Sequence, residues 1–209
     1  MICVTEDLDR FLEKVKGYAE FVDNEIADRE NDFRSMCFWN IYNRAVMTKE
    51  IVTFYTKTWE KMDVPIDMGP EITERIVTVT RDMFVDTVSS IEKASKDCVN
   101  AYKLSGLKEK SMVGKSYLYL RTIISSSVEL GYTTESQGQE WDDILLMRNL
   151  VTHNNSVADR SKVFEVDGLK ISMRPNRMMK GPSNTFVVLT DRVTELFKEW
   201  LTTMDGIFG

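Results

Sequence analysis

Apolar residues recur at helical spacing through most of the chain, in stretches that end at glycine, proline or polar clusters. Two such stretches, 6–30 and 33–62, predict an N-terminal pair of helices, the second of them dense in aromatic residues. The segment 63–70 contains two prolines that flank Gly69, and this composition predicts a turn.

Three more helical stretches follow. Helices are predicted over 71–104 and 108–130, and the short link around Gly106 predicts that these two pack antiparallel. The next helix is predicted from about 138 to 154. Ser136 is a plausible N-cap for it, with Gln139 three residues later completing a capping box.

The period then changes from that of helices to that of strands. Residues 163–173 contain two β-rich runs on either side of Asp167-Gly168, a dipeptide that favours a tight hairpin turn. After a polar loop, the run TFVVL is predicted to begin as a strand. It is followed by a closing helix that Thr190 or Asp191 would cap.

These elements predict a mostly α protein, an antiparallel helical bundle with a small β-hairpin insertion before the C-terminal helix. We expect one domain over 1–209, which is long enough to bury a core. Its expected parts are the N-terminal helices over 1–62, the core bundle over 70–156, the hairpin and loop over 163–189, and the closing helix over 190–207.

Composition narrows the function classes. The net charge of −6 argues against a large non-specific nucleic-acid surface and leaves room for a small basic site. With one histidine and three scattered cysteines, a structural zinc site is not expected, and no glycine-rich phosphate loop suggests a cofactor. The chain has no long apolar run and no leader pattern, so we expect a cytoplasmic protein without a membrane partner.

The chain's only histidine lies in the segment MRNLVTHNNSVADR, residues 147–160. On a helical wheel Arg148, Asn149, Thr152 and His153 form one polar arc, with Asn149 and His153 one turn apart. Histidine transfers protons near neutral pH, and arginine is a permanent cation suited to phosphate oxygens. The arc could therefore cleave RNA without a metal. It could equally be an ordinary polar helix end whose histidine interacts with the helix dipole.

Two leucines, Leu145 and Leu146, project on the same side as this arc, one turn earlier. Apolar residues beside a polar cluster suggest that this face is covered. A second copy of the chain could cover it and bring two arcs together near a common axis, which predicts a homodimer.

The segment RNLVTHNNSVAD resembles the signature of the HEPN superfamily. Ser156 stands where one subgroup of the family often has glycine, and Asn155 replaces a tyrosine that another subgroup uses for regulation, so that regulation does not carry over. The positions that match the first subgroup's motif are Arg148, Asn149, His153, Asn154 and Asp159.

The resemblance implies a helical homodimer with the motif at a shared cleft. It also implies metal-independent ribonuclease activity, often within toxin–antitoxin, phage-defence or RNA-processing systems. In such an enzyme the catalytic residues would be Arg148, Asn149 and His153. The expected partners are RNA rather than DNA, a second copy of the chain, and an antitoxin or other protein from a neighbouring gene.

A basic segment follows the hairpin and carries no acidic residue of its own between 170 and 180. It could hold an RNA backbone near the motif, or it could be a solvated loop. The candidate RNA-binding residues are Thr152, Asn154, Asn155, Lys170, Arg174, Arg177 and Lys180. Two function classes remain open: a metal-independent endoribonuclease of HEPN type, and a non-catalytic helical module that binds RNA, a nucleotide or a protein.

Overall fold

A computed structural model of the chain describes residues 2–27, 32–61, 69–102, 105–114, 117–153, 157–158, 161–177 and 181–209. Within these ranges the protein is mostly α, with one β-hairpin before the last helix, as predicted. The helices are α1 (Ile2–Glu25), α2 (Phe33–Lys61), α3 (Gly69–Ala101), α4 (Ser105–Ser111), α5 (Leu120–Glu129), α6 (Glu135–His153) and α7 (Thr185–Phe208). The strands are β1 (Lys162–Val166) and β2 (Leu169–Met173).

The first three helices form consecutive antiparallel pairs. Trp39, near the start of α2, donates a 2.9 Å hydrogen bond to Asp23, near the end of α1. Arg75, near the start of α3, lies 5.8 Å from the ring centroid of Tyr55, near the end of α2. Most of the turn predicted at 63–70 lies outside the described residues, and Gly69 already belongs to α3.

Helix α7 lies at the centre of the bundle and contacts α1, α3 and α6. The strand predicted for TFVVL is wrong, because α7 begins at Thr185 and its first turn packs into the core. Phe186 lies 5.8 Å, centroid to centroid, from Phe84 of α3. The β-branched residues of this run lower helix propensity only slightly, and burial on one helical face outweighs that cost. The predicted caps Thr190 and Asp191 therefore lie inside the helix.

The helix predicted over 108–130 is two helices, α4 and α5. A turn follows α4, and within it Gly114 adopts a left-handed conformation with φ of +65°. A residue in that conformation interrupts the helical hydrogen-bond ladder and commonly follows a helix end. Apolar residues recur at helical spacing across the whole segment, so the sequence pattern does not indicate the interruption.

The orientation of α5 also differs from expectation. Tyr102, just after the end of α3, donates a 2.7 Å hydrogen bond to Asp205, near the end of α7. Phe84 and Phe186 meet nearer the N-terminal ends of the same two helices, so α3 and α7 run in the same direction. Gln137 of α6 donates a 2.9 Å bond to Glu199 of α7, whereas Glu140 accepts one from Arg192, so α6 and α7 are antiparallel. Val128 of α5 packs on Gly138 of α6, and Arg121 of α5 bonds to Asp142 further along α6, so these two helices are antiparallel. Helix α5 therefore runs roughly in the direction of α3, and the predicted antiparallel pairing is wrong.

The predicted capping box of α6 is displaced by two residues. The chain carries the Ser/Thr-x-x-Gln pattern twice in succession, and the structure uses the first copy. The Thr134 N–H donates to Oε1 of Gln137 (3.0 Å), and the Gln137 N–H donates to Oγ1 of Thr134 (3.2 Å). The bond from Gln137 to Glu199 favours this copy, so Ser136 lies within the helix.

The β-hairpin turns where the sequence predicts. Val166 pairs with Leu169, and the two residues between them, Asp167 and Gly168, have φ of 47° and 74°. Positive φ at both central residues defines the type I′ turn that matches the twist of the strands. Lys162 of β1 forms an ion pair with Asp143 of α6, which attaches the hairpin to the helix that carries the motif.

Candidate functional site

Helix α6 buries one face and leaves a polar ridge on the other. The buried side chains Trp141, Ile144, Met147 and Leu150 are all at most 3% exposed. Their spacing of three to four residues places the remaining positions on the opposite, solvent-facing side. We call this side the α6 ridge, and it consists of Gln139, Asp142, Leu146, Asn149 and His153.

The four residues of the polar arc lie at the C-terminal end of α6. Arg148 is half-buried, and its Nη1 donates a 3.2 Å hydrogen bond to Oδ1 of Asn149. Thr152 is exposed, and its hydroxyl donates a 2.9 Å bond to the backbone carbonyl of Arg148. His153 is exposed in the last turn, where a positive charge interacts favourably with the helix dipole.

Two details of this geometry bear on binding. The Nε atom of Arg148 is buried and has no hydrogen-bond acceptor among the described residues, although such a donor ordinarily finds one. Asn149 makes no hydrogen bond to His153 within the described part of the chain, and its amide oxygen is engaged by Arg148 instead. Asn149 therefore positions Arg148 rather than the imidazole.

The two leucines that suggested a second subunit are covered by the chain itself. Leu145 is 8% exposed, and Leu146 is partly buried against the core. Their apolar surface therefore does not require a partner. The homodimer stays a prediction, but this argument for it no longer applies.

The basic segment after the hairpin returns towards the motif. The Ala158 N–H donates to the carbonyl of Arg177 (3.1 Å), and the Asn176 N–H donates to the carbonyl of Ala158 (2.8 Å). Ala158 follows His153 by five residues, which places it within about 17 Å of the histidine. Arg174 and Arg177 are both exposed on this segment. The predicted RNA-binding residues Asn154, Asn155 and Lys180 lie outside the described residues, as do the motif positions Ser156 and Asp159.

Lys170 lies on the outer face of the hairpin. It pairs across the strands with Glu165, and both side chains are exposed, whereas Ile171 and Met173 point inward and are buried. The basic segment contains no acid of its own, but the neighbouring strand places Glu165 opposite Lys170.

The charge distribution nevertheless sets this region apart. Residues 144–180 carry seven Lys and Arg against three Asp and Glu, a net charge of +4 in a chain whose total is −6. Local charge rather than total charge determines where a polyanion binds. Residues 144–180 are therefore more favourable for phosphate groups than the chain as a whole, although Lys162 among them is paired with Asp143 just outside the range.

The structure also reveals neighbours of the α6 ridge that the sequence interpretation missed. Arg121 of α5 donates a 3.0 Å hydrogen bond from Nε to Asp142 on the ridge. Just before α5, Tyr117 and Tyr119 are exposed. The sequence pattern predicts one helix over 108–130, and in such a helix Tyr117 and Tyr119 would belong to an ordinary amphipathic face.

Comparison with known proteins leaves the function open: no protein family, curated protein or solved structure significantly matches this chain. The likeness to HEPN proteins therefore rests on the motif and on a mostly helical fold. Within the described ranges, no helix is long and apolar enough to cross a membrane. The same residues contain no group of three His, Cys, Asp or Glu side chains that could hold a metal ion.

Proposed function

We propose that this protein is an endoribonuclease that cleaves single-stranded RNA without a metal, using Arg148 and His153 at the end of α6. The observation that carries the proposal is the Arg148–Asn149–His153 group, in which Asn149 holds the half-buried guanidinium of Arg148 one turn from the exposed His153. The surrounding region has a net positive charge, which favours binding of the RNA backbone.

The chemistry needs one proton acceptor, one proton donor and charge stabilisation. The ribose 2′-OH loses its proton and attacks the adjacent phosphorus, and the 5′-oxygen leaves and takes up a proton. The products are a 2′,3′-cyclic phosphate and a 5′-hydroxyl. His153 moves the proton in one of these steps, and Arg148 stabilises the negative charge that develops on the phosphorane.

One chain supplies a single histidine, whereas this reaction benefits from both a base and an acid. A homodimer that brings two copies of His153 to one substrate supplies both groups. This requirement, together with the resemblance, supports the dimer now that the two leucines do not. The resemblance further implies a place in toxin–antitoxin or phage-defence systems, with a neighbouring-gene protein as the regulator.

A second candidate is a non-catalytic module that binds RNA at the same place. It is favoured by the openness of the site, because Asn149 and His153 lie exposed on a ridge. Catalytic groups usually work in a water-excluded site, where electrostatic interactions are stronger. A second subunit or the RNA itself would have to exclude water if the protein is an enzyme.

The test is RNA cleavage by the purified protein in EDTA, with an RNA pool as substrate. We expect His153→Ala to lower the rate by roughly 100- to 10,000-fold, because that is the usual contribution of general acid–base catalysis. Arg148→Ala should lose a comparable amount, and Arg148→Lys should not restore it, because lysine lacks the planar fork. Arg10→Ala, on an exposed arginine of α1, is the matched control and should cleave like the wild type.

Three results separate the two candidates. Cleavage that disappears in both the Arg148→Ala and His153→Ala variants, with products bearing a 5′-hydroxyl, supports the enzyme. Cleavage that survives in both variants, or that requires a divalent ion, contradicts it. RNA binding by the wild type without cleavage favours the binding module.

A further inference from the structure

Two tyrosines just before α5, Tyr117 and Tyr119, are exposed and do not pack against the hydrophobic core. Of the seven tyrosines in the chain, the five other than Tyr117 and Tyr119 pack against the hydrophobic core. Tyr117 is 70% exposed and Tyr119 is 48% exposed. Neither phenol hydroxyl makes a hydrogen bond among the described residues. Large aromatic surface left in water without a structural partner is a common mark of a binding site.

The packing of α5 on α6 sets where these rings lie. Val128 of α5 packs on Gly138 near the start of α6, and Arg121 of α5 bonds to Asp142 further along α6. The two helices are therefore antiparallel, and the N-terminal end of α5 is directed towards the C-terminal half of α6. Tyr119 immediately precedes that end.

The same geometry connects the tyrosines to the motif. Asp142 lies on the α6 ridge seven residues before Asn149, a distance of about 10 Å along the helix axis. The ridge is partly buried at Asp142 and Leu146, becomes exposed at Asn149 and continues to His153 with no change of face. A strand of RNA that reaches His153 along the ridge therefore passes beside the segment 117–119.

The chemistry of this segment suits nucleic-acid bases. Tyrosine rings stack on any base, because every base has a π-face. The Lys96 ammonium lies 6.0 Å from the ring centroid of Tyr119, and the Arg121 side chain is largely exposed beside Asp142. Leu118, between the tyrosines, packs against the core, which fixes the backbone that presents them. Four of the five residues on the adjoining ridge are polar, which favours RNA over an apolar protein surface as the occupant.

We infer that Tyr117 and Tyr119 form a base-stacking platform that guides single-stranded RNA along the α6 ridge to the motif. The inference deepens the proposed function and rests on it, since it assigns the substrate of that same site. It adds recognition through unpaired bases, which a duplex keeps stacked internally, and so it predicts a preference for single-stranded over double-stranded RNA.

Equilibrium binding of RNA tests the platform separately from cleavage. The probe is a single-stranded RNA of about 12 nucleotides that carries one 2-aminopurine, whose fluorescence falls on stacking. The protein is the full chain with His153→Ala, so that the RNA stays intact. The variants are Tyr117→Ala with Tyr119→Ala, the same pair changed to Phe, and Phe54→Ala as a control on an aromatic residue of α2 that is 65% exposed.

Each ring lost to alanine should raise the dissociation constant by roughly 5- to 150-fold, which corresponds to the usual stacking free energy of one base. The phenylalanine pair and Phe54→Ala should bind like the parent. The salt dependence of RNA binding distinguishes the contribution of base stacking from that of charge. The alanine pair should keep the parent's dependence on salt, whereas Arg174→Ala should reduce the logarithmic slope by about 0.7 if that arginine contacts one phosphate.

The outcomes separate this inference from the proposed function. Normal RNA binding by the alanine pair, with unchanged thermal stability, overturns the platform and leaves the ribonuclease standing. Tyrosine-dependent binding by a wild type that never cleaves RNA overturns the ribonuclease and supports the platform. A wild type that binds no RNA at all overturns both.

Discussion

Replacing Gly138 with alanine tests how closely α5 is held against α6, on which the position of Tyr119 depends. A Cβ built on Gly138 would lie 2.6 Å from Cγ2 of Val128, much closer than two carbons approach in proteins. Overpacking of this kind costs about 1–3 kcal/mol, whereas the better helix propensity of alanine returns about 1 kcal/mol. We therefore expect a net loss of about 0–2 kcal/mol in the free energy of unfolding.

Two further variants isolate the steric cause. Gly17 is a helical glycine of α1 with nothing within 4 Å of an added Cβ, so Gly17→Ala should stabilise the protein by about 0.5–1 kcal/mol. Val128→Ala removes the clashing methyl group, so Gly138→Ala should cost less in that background than in the wild type. The difference between the two costs is the coupling energy of the pair.

The measurement is urea unfolding of the four variants and the wild type, with the slope compared as well as the midpoint. A change in midpoint at constant slope reports stability alone. A Gly138→Ala variant as stable as Gly17→Ala would contradict close packing of α5 on α6. An unchanged cost of Gly138→Ala in the Val128→Ala background would contradict it as well.

Three other variants probe the fold that supports the site. Arg34→Leu should cost about 3–5 kcal/mol in urea unfolding, because it removes a bidentate ion pair from Asp32, which is 3% exposed; a loss below about 1 kcal/mol would contradict this. Thr134→Ala should cost about 0.5–2 kcal/mol by removing the capping bond to Gln137, and an unchanged midpoint would argue against the observed capping box. Burial raises the pKa of Tyr18 to about 12, above the unfolded value near 10, so stability should fall as the pH rises through this range. Tyr18→Phe should lessen that fall in unfolding measured at several pH values, and an identical pH profile would count against it.

The sequence was sufficient where a local rule decided the structure. The hairpin turn follows from Asp167-Gly168, since few other dipeptides tolerate positive φ at both central positions. The motif helix follows from the apolar period of Trp141, Ile144 and Met147, which are all buried. In these places one short segment contains all the information.

The sequence was insufficient where tertiary contacts decided. The start of α7 depends on the packing of Phe186 on Phe84 of α3, two residues far apart in the chain. The cover over Leu145 and Leu146 comes from neighbouring elements of the same chain, which a helical wheel cannot represent. Likewise, the exposure of Tyr117 and Tyr119 depends on the break after α4, which no apolar period marks.

The proposed chemistry requires Arg148 and His153 to cleave RNA through the RNA's own 2′-hydroxyl. The most direct test uses one RNA whose cleavage site has been mapped, prepared with ribose or with a single 2′-deoxyribose at that site. In EDTA, the wild type should cut the ribose form at least about 100-fold faster than His153→Ala does, and it should not cut the deoxy form there. Cleavage of the deoxy form at the same site, or equal rates for the wild type and His153→Ala, would contradict this chemistry.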